Sequence, residues 1–116
     1  MAVLTNQKYT LTPRTALSNT VLSVRGGPTT VWGWTFHNPN VAESWVQFFN
    51  KQPVDVVLGT TAPDYTLKLA GSSETVLFLE GASGVPFSTG LSWATTTTET
   101  GATGPSSAVS SYLVYN

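Results

Sequence analysis

Bulky apolar residues alternate with Thr, Ser or other small polar residues in short runs along this chain, and Gly, Pro or Asn breaks each run before a helical period can develop. Residues 30–37, Thr-Val-Trp-Gly-Trp-Thr-Phe-His, are the clearest case. Strand side chains point to opposite faces in turn, so this run is expected to place Trp32, Trp34 and Phe36 on one face and Val31, Gly33, Thr35 and His37 on the other. Asn38-Pro39-Asn40 then marks a turn, since Pro fixes φ and Asn tolerates left-handed backbone. A short helical turn at 41–44 is the one place where a helix is expected at all.

Further strands are read at 7–12, where Pro13 ends the run, and at 20–25, stopped by Gly26-Gly27-Pro28. Others follow at 44–51, 54–58, 65–69, 75–80, 85–94 and 109–115, with Thr95 to Thr98 able to extend the penultimate one. Residues 75–80, Thr-Val-Leu-Phe-Leu-Glu, are nearly all apolar and read as a central buried strand. Gly90 suggests a bulge or bend. About eight strands joined by turns, without crossover helices, predict an all-β, antiparallel two-sheet β-sandwich of jelly-roll type. The alternative is an immunoglobulin-like sandwich, although the paired Cys of antibody domains is absent. One domain is expected over 14–116, preceded by an N-terminal arm over 1–13. The expected core is Trp32, Trp34, Phe36, Val46, Phe48, Leu77, Leu79 and Leu113.

Composition limits the chemistry. The 116 residues include 19 Thr but only five basic and six acidic residues. The basic residues Lys8, Arg14, Arg25, Lys51 and Lys68 are scattered, without the stripe that neutralises phosphates, so no nucleic-acid partner is expected. With no Cys there is no disulfide framework or thiolate metal site, and no apolar stretch is long enough to span a membrane. The start lacks the pattern of a signal peptide. His37, the single histidine, has no nucleophile motif to serve, and reads as a turn histidine unless Asp55 or Asp64 folds beside it. The acidic residues form neither a calcium loop nor a ligand cluster, so no metal, cofactor, small-molecule substrate or enzyme activity is expected.

The strand 44–51 is unusual because both of its faces carry large groups, Val46 and Phe48 on one and Trp45, Gln47 and Phe49 on the other. Such a strand is either covered on both sides within the fold or presents its second face to another protein. Trp45, Gln47 and Phe49 are therefore candidate interface residues, together with Leu4 and Tyr9 of the arm. Trp45 and Trp93 are also the aromatics through which a glycan could be stacked.

Several fragments, in their order, carry a resemblance: Trp34-Thr-Phe-His-Asn-Pro-Asn, Trp45-Val-Gln-Phe-Phe-Asn, Leu58-Gly-Thr-Thr-Ala-Pro, Pro86-Phe-Ser-Thr-Gly-Leu-Ser-Trp-Ala-Thr-Thr-Thr, and the terminal Tyr112-Leu-Val-Tyr115. Together they resemble small structural proteins of tailed bacteriophages, of the capsid cement or head decoration type. The resemblance implies a virion protein made in the host cytoplasm. It would sit on the outer capsid surface, joining neighbouring major capsid protein subunits and copies of itself as a dimer or trimer, and so stabilise the head. It implies no catalytic residues. The alternative function is a tail, fibre or baseplate sandwich that binds host-surface glycans.

Overall fold

A computed structural model of the chain describes residues 9–79 and 83–116. The described residues form strands β1 (Thr10–Leu11), β2 (Thr15–Leu17), β3 (Leu22–Arg25), β4 (Thr29–Asn38), β5 (Ser44–Phe49), β6 (Tyr65–Leu69), β7 (Ser73–Phe78), β8 (Val85–Phe87), β9 (Leu91–Thr96) and β10 (Val109–Tyr115). In sheet A, β10 pairs with β1 and β2 on one side and with β4 on the other, and β4 in turn pairs with β7 and β8. Sheet B runs β3-β9-β5-β6. Every pairing is antiparallel, and the fold is the expected all-β, two-sheet sandwich.

The pairings are nested. β5 pairs with β6, β4 with β7, β3 with β9 and β2 with β10, so the chain resembles one long hairpin whose arms fold across from sheet to sheet. The core lies between the sheets, and Phe48 sits at its centre. Its ring is within 5.9 to 6.4 Å of the rings of Trp34, Phe36, Tyr65, Phe87 and Trp93. Offset and edge-on arrangements of this kind add to the gain from burying the rings. Trp34, Phe36, Val46, Phe48 and Leu113 are buried in this cluster, as expected from the alternation of their strands.

Three expected core residues lie elsewhere, each for a backbone reason. In the pairing of β4 with β10, Val31 faces Tyr115 but Gly33 faces Val114, so Trp32 is an extra residue in β4 and marks a bulge. The bulge flips the alternation. Val31 joins the core on the side of Trp34, while Trp32 turns outward, stacks 5.5 Å from the Tyr9 ring and donates its indole N–H to Asn116 Oδ1 at 3.0 Å. Leu77 and Leu79 miss the core because 75–80 is not a central strand. β7 lies at the edge of sheet A, where the sandwich ends, leaving Leu77 37% exposed and Leu79 half-buried. An apolar run could not reveal this, since pairing order depends on distant segments.

The sequence reading also differs at the connections. Residues 54–58 are not a strand: Pro53–Asp55 makes one 3-10 turn, favoured by Pro at its first position. Residues 41–44 form a bend leading into β5 and not a helix. The run 85–94 divides at Gly90 into β8, which belongs to sheet A, and β9, which belongs to sheet B. The first strand does stop before Pro13, but the chain stays on the same sheet, because β2 follows and pairs with the same strand as β1. Thr12 is also tied in, its N–H donating to the Leu113 carbonyl and its hydroxyl accepting from the Leu113 N–H, each at 2.9 Å. The arm boundary expected at residue 13 therefore falls inside sheet A, while residues 1–8 lie outside the described residues.

The corner between β4 and β5 is fastened by Asn38, which is wholly buried. Its Nδ2 donates to the carbonyls of Ala42 at 3.1 Å, Ala70 at 3.2 Å and Leu69 at 3.4 Å. Its Oδ1 accepts from the backbone N–H of Asn40 at 3.0 Å and from Asn40 Nδ2 at 2.9 Å. Asn40 continues the network to Ser107, through one bond in each direction. One buried amide thus joins the ends of β4 and β6 to the loop before β10.

Candidate functional site

Three of the exposed large apolar side chains, Leu11, Val76 and Phe78, lie on one sheet face, the outer face of sheet A. Alternation from the inward residues Trp34, Phe36 and Leu113 puts Gly33, Thr35 and His37 of β4 outward, and their register partners follow. One cross-strand row is Phe78, Gly33, Val114 and Leu11; the next is Val76, Thr35 and Tyr112; the third is Glu74, His37, Ser110 and Ala16. Val76 is 65% exposed, Leu11 60% and Phe78 54%. Tyr9 and Trp32 extend the first row, with the Phe78 ring edge-on to Tyr9 at 6.5 Å.

Gly33 shapes this surface. A Cβ there would sit 2.7 Å from the Leu77 carbonyl oxygen and 2.9 Å from Cδ1 of Phe78, so only a bare backbone lets the Phe78 ring lean across β4. Of the other exposed apolar residues, Val41, Val54 and Val57 lie on loops, Leu22 and Tyr65 on strands of sheet B, and Leu77 on the opposite side of β7 from Val76. The sheet A rows are contiguous by register, and the charged groups of that face, Glu74 and Arg14, lie at the two ends of the third row with His37 between them. Arg14 reaches this row through Nε, which donates to Ser110 Oγ at 2.9 Å.

The face first expected to make contacts is covered from within. Gln47 and Phe49 have no exposed surface, and their β9 neighbours Ser92, Ala94 and Thr96 are equally buried. The loops after β5 and β9 lie over them. Gln47 Nε2 donates to Thr96 Oγ1 at 2.7 Å and to the Gly101 carbonyl at 3.0 Å, while Ser92 Oγ donates to the Lys51 carbonyl at 2.8 Å. Gly59 faces Ala102, where the two loops meet. Gln47 and Phe49 therefore belong to a second layer of core, so neither is available to a partner. Trp45, on the same strand face, is half-buried; Tyr9 is half-buried on the sheet A side; Leu4 lies outside the described residues.

His37 is exposed, and its register partners are Glu74 and Ser110. Asp64, one of its two imagined partners, is instead bound at the end of β5, where its Oδ2 accepts from the Asn50 N–H at 2.7 Å. The other, Asp55, lies in the 3-10 turn after β5. Among the described residues, no group of three or more His, Cys, Asp or Glu is placed to hold a metal ion. Two open clefts are present. One, of about 370 Å³, lies between 40–44 and Thr97, Pro105 and Ser106; the other, of about 270 Å³, lies between Thr12, Leu22, Val24 and Tyr115. Neither brings a carboxylate to a histidine. Trp93, the second candidate for stacking a sugar, borders the second cleft but is only 2% exposed and packs against Phe36 and Phe48, so its ring face is not open for stacking.

The residues of the sheet A surface were individually visible, but their assembly was not. Val76 and Phe78 fall in the run 75–80, which reads as a central buried strand, and the edge position of β7 exposes them. Comparison of the chain with protein-family models, with curated proteins and with solved structures finds no match.

Proposed function

We propose that this protein is a structural subunit of a virion, a cement protein that binds the outer surface of a phage capsid and joins neighbouring major capsid protein subunits. The observation that carries the reading is the apolar, contiguous outer face of sheet A. Burying the exposed parts of Leu11, Val76 and Phe78 against a partner would contribute about 1 to 2 kcal/mol apiece, which is ample for a specific contact when summed over an assembly. The surrounding surface is poor in charge, as expected of area that works by being covered. The nested strand pairing supports a jelly roll over an immunoglobulin-like sandwich, since a jelly roll is one long hairpin folded over in this way. The ordered fragments that resemble phage cement proteins point to the same role.

Two measurements test it. Mass spectrometry of purified heads is expected to find the chain among their proteins, and its absence there would sink the proposal. In addition, Val76→Asp is expected to keep the fold, because the side chain is mostly exposed at a sheet edge, yet to lose attachment to heads lacking the native protein. A charge there would have to be desolvated at the contact without a counter-ion. Co-sedimentation with heads reads the binding and circular dichroism reads the fold; attachment at native strength would remove sheet A from the contact.

A further inference from the structure

We propose that the outer face of sheet A pairs with the same face of a second copy, about a two-fold axis that runs parallel to the strands between β4 and β10. The proposal rests on the reading of this face as one that is covered in the assembly: its occupant is a second copy, and the pair, not the single chain, is the unit that attaches to the capsid, so that a charge at Val76 loses attachment by breaking the pair. Rotation about such an axis keeps each cross-strand row at its own height and reverses the order of the strands. β7 of one copy then lies over β1 and β2 of the other, and β4 lies over β10.

The three rows are complementary to themselves under that operation. In the first, Phe78 meets Leu11 of the second copy, and the backbone of Gly33 meets Val114. In the second, Thr35 meets Tyr112. The third row supplies the charge argument. It carries Glu74 at its β7 end and Arg14, held on Ser110, at its β2 end, with His37 between them. Within one copy Ser110 is two strands from Glu74, roughly 10 Å, too far for an ion pair. Reversing the strand order places Glu74 near Arg14 of the second copy, and the symmetry makes the pairing twice. A two-fold axis across the strands would instead set Glu74 over Phe78, a carboxylate against an aromatic ring at a desolvated contact. The charge pattern thus selects both the partner and its orientation.

The test is sedimentation and light scattering on the full chain from roughly 1 to 100 µM, the range in which a modest interface of this kind associates. The native chain is expected to dimerise. Glu74→Arg and Arg14→Glu, both at exposed positions, are each expected to weaken dimerisation about tenfold or more, because each places like charges together twice. Mixing the two variants is expected to restore a heterodimer. The two substituted side chains then face one another with opposite charges, and the native Arg14 of one variant faces the native Glu74 of the other. A native chain that stays monomeric, a dimer indifferent to both reversals, or variants that stay apart when mixed would each overturn the proposal. If a reversal unfolds the chain by circular dichroism, Glu74→Gln and Arg14→Gln give the same reading through loss of the salt dependence of dimerisation. A chain present in purified heads but monomeric alone would reject the two-fold pairing and leave the cement role standing. A dimer absent from heads would do the reverse.

Discussion

Phe49→Asp is expected to leave the chain unfolded at room temperature. Phe49 has no exposed surface, because the loops after β5 and β9 close over the outer face of sheet B. Removing the ring costs about 3 to 5 kcal/mol in lost burial and cavity formation. A carboxylate in its place adds several more, since it would be taken wholly out of water. The sum approaches or exceeds the whole stability of an ordinary domain, about 5 to 15 kcal/mol. Far-ultraviolet circular dichroism and a thermal melt check this directly. A folded variant with a near-native melting temperature would mean that the face opens to solvent, which would return Phe49 to the list of contact residues. Trp45→Asp on the same face is the control, and is expected to cost much less because Trp45 is only half-buried.

Asn38→Leu is expected to destabilise the fold by about 3 to 5 kcal/mol although the two side chains are similar in size. The amide serves the carbonyls of Ala42, Leu69 and Ala70 and accepts from Asn40, which in turn holds Ser107. Leucine deprives all of those groups of the amide at once, the Leu69 carbonyl in a buried setting and the others in a part-buried one, and groups of one network lose more together than singly. Urea titration gives the loss. Hydrogen exchange is expected to show amides near the β4–β5 corner and the loop before β10 opening first. A loss below about 1 kcal/mol would mean that water replaces the amide, and that the corner is held by the strands alone.

These two residues show how unevenly the molecule could be read in advance. The fold class was legible, because alternation, Thr and aromatic content, and frequent turn residues all agree on short antiparallel strands. Phe36, Phe48 and Leu113 were legible as core for the same reason. Trp32 was not, because a bulge is set by the strand that pairs with it: β10, at the other end of the chain, makes Trp32 an extra residue and turns it outward. Leu77 and Leu79 failed differently. An apolar run signals burial only if strands flank it on both sides, and β7 has β4 on one side alone. Exposure was misread through both kinds of error. Two apolar faces on β5 suggested a partner, yet the loops after β5 and β9 supplied the cover; Val76 and Phe78, in a run that reads as a buried central strand, are exposed.

By itself the sequence determined that this protein is a charge-poor, all-β sandwich without the residue patterns of a metal site or a nucleophile, since these follow from local propensity and from which side chains exist at all. Only the tertiary structure decided which strands lie at the edges, which loops fold over sheet B, and where Glu74 and Arg14 sit on sheet A. The reason is physical: side-chain alternation is a local property of two neighbouring residues, whereas exposure depends on pairing between segments as far apart as β1 and β10, which no local pattern encodes.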